Sequence, residues 1–112
     1  MRRIDLKIDV TEAAQLDETA HVAVTVVLPD PTLLGERPVV CFAKPGGGYS
    51  KGYYSEALPG PGEGAQASWH AERGWIFVAV DHLGVGESSL HAGEKLGVTQ
   101  VVAANLAADG GW

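Results

Sequence analysis

A single cysteine among 112 residues excludes an internal disulfide. Cys41 lies between Val40 and Phe42, where a small packing residue is expected. Burial of that kind raises a thiol pKa, so no nucleophilic role is expected of it. Basic residues are also few: eight Lys and Arg stand against fourteen Asp and Glu, a net charge of −6. Phosphate binding needs clustered cations, so nucleic acid is not an expected partner. No stretch approaches the ~20 apolar residues of a membrane span. Met1-Arg2-Arg3 runs into alternating polar residues instead of an apolar leader, so the chain is expected to be cytoplasmic. The four histidines (21, 70, 82, 91) fall at no metal-ligand spacing, and neither a metal nor a cofactor is expected.

Glycine, in contrast, is abundant, with 15 residues, many of them between 46 and 64. They mark loops, not a repeat. The flanking sequence explains which elements those loops join. Ile4 to Val10 alternates strictly between apolar and polar residues, and His21 to Leu28 does so less cleanly. Such alternation predicts two half-solvated strands, and their mostly polar connection suits an antiparallel pair at a sheet edge. Pro29 and Pro31 end the second strand, because proline lacks the ladder donor. Residues 39 to 43 and 75 to 80 are almost continuously apolar, which predicts parallel strands covered on both faces. Ala65 to Arg73 is predicted as the crossover helix, closed by Gly74, with Trp69 and Trp75 in the core. Thr99 is the expected N-cap of a last helix over Gln100 to Ala108. The fold class is therefore α/β: an N-terminal antiparallel pair joined to parallel strands by a crossover helix, in one domain over residues 1–112.

Two glycine loops follow the apolar strands, and each places backbone N–H groups at a strand's C-terminal end, where open α/β sheets bind ligands. The first is Pro45-Gly46-Gly47-Gly48-Tyr49-Ser50-Lys51-Gly52, and the second runs from Asp81 through Gly84 and Gly86 to Ser89. In that order and on those strands they resemble the amino-terminal part of an α/β-hydrolase of the esterase and lipase type. In that family a triple-glycine loop after the third strand forms the oxyanion hole. A later strand ends in Asp-x-x-Gly-x-Gly-x-Ser, matched here by Asp81, Gly84, Gly86 and Ser88. The resemblance implies that Gly47 and Gly48, with Tyr49 beside them, supply oxyanion donors. It also implies that Asp81, Gly84, Gly86 and Ser88 shape the second loop. Pro45 stands where the family usually has histidine. His82 is expected at the cleft mouth or in solvent.

The resemblance further implies an incomplete sheet, since the nucleophile elbow, acid and histidine of that family would lie beyond these residues. The substrate implied for the complete protein is a small acyl compound such as a carboxylic ester. The chain by itself is expected to be inactive as an esterase. Its strand at 39 to 43 is expected to present an open apolar edge through which copies self-associate.

Two alternatives stand beside this. Gly48-Tyr49-Ser50-Lys51-Gly52 matches G-x-S-x-G, and Asp81 and His91 follow in Ser…Asp…His order, which would make Ser50 the nucleophile of a compact hydrolase. Against it, Gly52 and the Pro/Gly-rich run from Pro59 to Gly64 leave little room for the helix an elbow requires. The other alternative is a small binding protein that holds a carboxylate or other anion on the same loops without catalysis.

Overall fold

The computed structural model describes residues 1–45, 50–56, 65–92 and 95–110. Alternation in the first ten residues builds β1 (Arg2–Asp9), whose Ile4 and Ile8 turn to the core while the charged residues between them stay exposed. A one-turn helix, α1 (Thr11–Ala14), leads to β2 (His21–Leu28), which pairs antiparallel with β1, Arg2 facing Leu28 and Asp9 facing His21. The apolar runs form β3 (Val40–Ala43) and β4 (Ile76–Val80), parallel neighbours with Ala43 beside Ala79. β4 also pairs antiparallel with β2, so the order is β1-β2-β4-β3. The protein is thus an α/β fold on a four-stranded mixed sheet. β2 departs from the half-solvated expectation: Val22 to Val27 are all buried, because an inner strand is flanked on both sides and covered on both faces.

Helices lie on both faces. On one, α2 (Gly52–Ser55) and α3 (Gln66–Ala71) cover Val27, Phe77 and Ala79. α3 is shorter than predicted; residues 72 to 74 turn instead, with Gly74 at φ 84°. Ala67 and Ala71, one helical turn apart, are its fully buried residues. This choice corrects the expectation for the tryptophans. Trp69 lies on the side of α3 opposite the two alanines and is 53% exposed, with the Arg73 guanidinium stacked 3.6 Å from its ring centre, and Trp75 is 39% exposed.

The other face is covered by α1 and by α4 (Val98–Gly110), whose Ala104 and Ala108 belong to the core with Val22, Val24, Val78 and Val80. α4 starts ahead of the expected Thr99 cap, because the Val101 N–H already donates to the Gly97 carbonyl at 3.1 Å. β3 forms one edge of the sheet. Val40 there is 44% exposed beside an apolar recess of about 370 Å³ lined by Val26, Leu28, Ile76 and Val78. Among the described residues no helix is long and apolar enough to cross a membrane.

Candidate functional site

Because β3 and β4 run parallel side by side, the loops that follow them leave the sheet at the same end. Gly46, Gly47, Gly48 and Tyr49, the expected oxyanion residues among them, lie outside the described residues. The residues that flank them are held by two consecutive residues at the end of β4. At the entry, the His82 Nε2 lies 2.8 Å from the Pro45 carbonyl oxygen. At the exit, the Lys51 N–H donates to Asp81 Oδ1 at 2.6 Å.

The His82 contact has only one consistent proton arrangement. A carbonyl oxygen can only accept, so Nε2 carries the hydrogen. On the ring's other side Nδ1 lies 2.9 Å from Asn105 Nδ2, and Asn105 Oδ1 accepts the Leu83 N–H at 3.2 Å. The Leu83 N–H can only donate, so Asn105 must turn its oxygen there and its NH₂ towards Nδ1. Two backbone groups therefore fix the directions of the whole chain, and His82 is the neutral Nε2–H form. Of the two places expected for this ring, the cleft mouth or solvent, the second is excluded, since His82 is partly buried and bonded on both nitrogens. Asn105 gave one sequence signal: it is the single polar residue in the run of Ala, Val and Leu from 101 to 108, and the structure buries it.

Asp81 is 1% exposed, and both its oxygens are engaged: Oδ2 accepts the Glu87 N–H at 2.9 Å. Two backbone donors on one buried carboxylate are charge-assisted bonds, individually about twice as strong as neutral ones. Gly86, at φ 56°, passes so close that a Cβ there would stand 2.5 Å from Asp81 Oδ2. Gly84, at φ 84°, meets Leu96 in the same way at 2.7 Å. Ser88 is buried; its hydroxyl donates to the Asp81 carbonyl at 2.8 Å and accepts the Ala23 N–H at 2.9 Å, which ties the second loop to β2. Lys51 is buried as well, with its Nζ 3.1 Å from Glu87 Oε1, so an ion pair crosses between the loops.

Ser50 is followed by the four-residue α2, which begins at Gly52. Its supposed partners are occupied elsewhere. Asp81 holds the Lys51 and Glu87 amides, and His91 contacts Ser89 at 2.7 Å and Glu18 at 2.8 Å. Among the described residues, no group of three or more His, Cys, Asp or Glu is placed to hold a metal ion. No protein-family model matches this chain, and no curated protein matches it either.

Proposed function

We propose that this chain is the amino-terminal part of a serine α/β-hydrolase and supplies the oxyanion-hole loop for hydrolysis of a carboxylic ester or related acyl compound. One observation carries the proposal: the triple-glycine segment follows the third strand, and Asp81 and His82 at the end of the neighbouring parallel strand hold its two flanks. Attack on an acyl carbon puts negative charge on the former carbonyl oxygen. Preorganised backbone donors stabilise that charge, and losing one such donor costs about 3–4 kcal/mol of barrier. An α/β-hydrolase draws one of these donors from the loop after its third strand. Glycines there let a substrate oxygen approach the amides closely. Pro45 removes the histidine usual before those glycines, and the contact from His82 to the Pro45 carbonyl gives that position an anchor from another strand.

Two measurements test this. The purified chain is expected to give no steady-state turnover of p-nitrophenyl butyrate, and Ser50→Ala is expected to change nothing; turnover abolished by Ser50→Ala overturns the proposal in favour of a compact hydrolase. The reading frame that follows Trp112 is expected to encode a further apolar strand ending in G-x-S-x-G. If it does not, and calorimetry shows acetate binding that Gly47→Ala abolishes, the protein is an anion-binding module instead.

A further inference from the structure

A second cluster, remote in sequence from the triple glycine, has the connectivity of an activated serine. The Ser89 hydroxyl lies 2.7 Å from His91 Nε2, and His91 Nδ1 lies 2.8 Å from Glu18 Oε1. A carboxylate can only accept, so Nδ1 carries a ring hydrogen, and in the neutral imidazole Nε2 then presents a lone pair to the serine. The hydroxyl has one proton and two acceptors to choose from, Nε2 at 2.7 Å and the His21 carbonyl at 3.2 Å. The closer acceptor is the imidazole. The His21 N–H donates to the same oxygen at 2.9 Å, which fixes Oγ in place and leaves its proton for His91. Nucleophile, base and orienting carboxylate thus stand in hydrogen-bond reach in the right order.

Exposure is divided in a way that suits this role. The His91 side chain is 2% exposed, so the base is shielded from water, while Ser89 is partly exposed and the neighbouring Leu90 is 78% exposed. The bond from His91 is also the main cause holding the Glu18 carboxyl below its ordinary pKa, with Lys95 adding to it at 3.6 Å.

We propose that Ser89 is a nucleophile that takes an acyl or phosphonyl group from activated electrophiles, with His91 as its general base and Glu18 as the residue that positions the imidazole. With p-nitrophenyl acetate, Ser89 Oγ bonds to the acyl carbon as its proton passes to His91 Nε2. The bond from that carbon to the phenol oxygen then breaks, and the imidazolium returns the proton to the departing p-nitrophenol. Acetyl-Ser89 and p-nitrophenol are the products. The buried imidazole gives water little access to the same proton acceptor, so the acyl group stays on. The expected signature is one equivalent of product followed by no turnover, which leaves the proposal for the glycine loop untouched by the outcome.

The test is stoichiometric labelling of the full chain by an alkyl fluorophosphonate and by p-nitrophenyl acetate, mapped by peptide mass spectrometry. One label per chain on Ser89 is expected, with loss of the label in Ser89→Ala. His91→Gln is expected to slow labelling at least about 100-fold, the lower end for general-base assistance. Glu18→Gln is expected to slow it and Glu18→Asp to restore part of the rate. ¹⁵N imidazole shifts should show His91 protonated at Nδ1 and bare at Nε2 in the parent chain, whereas a purely structural contact in which Nε2 donates to Ser89 would show both nitrogens protonated. Circular dichroism checks the fold of each variant, and if Ser89→Ala does not fold, the site mapped on the parent chain decides alone. No label, label on another residue, or a His91→Gln rate equal to the parent's overturns the proposal.

Discussion

His82 donates its Nε2–H to the Pro45 carbonyl at 2.8 Å, so a residue at the end of β4 fixes the peptide that enters the triple glycine after β3. The next residue back, Asp81, fixes the peptide that leaves it. Strand pairing thereby becomes loop placement: the parallel register of β3 and β4 decides where both clamps fall.

His82→Ala should cost about 1 kcal/mol, the usual net value of one intramolecular hydrogen bond. Glutamine offers both a donor and an acceptor, so His82→Gln should recover most of that loss. Urea unfolding measures the cost, and the ¹³C resonance of the Pro45 carbonyl reads the bond itself. It should move in His82→Ala and stay near the parent value in His82→Gln.

Asp81→Ala removes the acceptor of two backbone donors and should cost about 3 kcal/mol or more, given 1.5–3 for a single bond to a charged group. Gly86→Ala should cost at least about 2 kcal/mol, because it strains a left-handed backbone and also drives a Cβ to 2.5 Å from the same carboxylate. Since both changes act on one contact, Gly86→Ala in an Asp81→Ala background should cost less than alone. A double-mutant cycle in guanidinium measures that coupling.

Acid stability should depend on Asp5. Its carboxylate accepts the hydroxyl of fully buried Thr25 at 2.6 Å, which is the first cause holding its pKa below the ordinary value, with Arg3 and Lys51 adding charge attraction. A folded-state pKa below the unfolded one contributes stability at pH above the unfolded value, and that share is lost as pH falls through the folded value. The loss should therefore appear below about pH 4. Urea midpoints between pH 5 and 2.5 should fall less steeply in Asp5→Asn, and also in Thr25→Val.

Self-association should run through β3. Val40 is 44% exposed on an edge strand beside an apolar recess, the arrangement that invites pairing with another chain. Sedimentation velocity should show association that rises with concentration, and Val40→Lys should suppress it. A parent chain that stays monomeric at high concentration would contradict this.

The four strands, their boundaries within two residues and the parallel pairing of the last two were legible from period and composition alone. Those properties are local, whereas coverage is not. β4 has two dry faces, as its apolar run predicts. β3, an edge strand with a similar run, leaves Val40 44% and Phe42 41% exposed, which corrects the expectation that it is covered on both faces. The second glycine loop was legible as a local property too, since chain turns are written in neighbouring residues, and Gly84 and Gly86 both take positive φ. What tertiary structure alone decided is which distant groups meet. Alternation could not tell that β2 is an inner strand, because burial of its polar-facing side depends on β4, some fifty residues later. The outward turn of Trp69 follows from which side of α3 the sheet accepts, and two alanines settle that by allowing close approach. The grip of His82 on Pro45 and the Glu18–His91–Ser89 line join residues 37 and 73 positions apart. Hydrogen bonds between side chains have no period to read in advance; only the folded backbone brings their donors and acceptors within three ångströms.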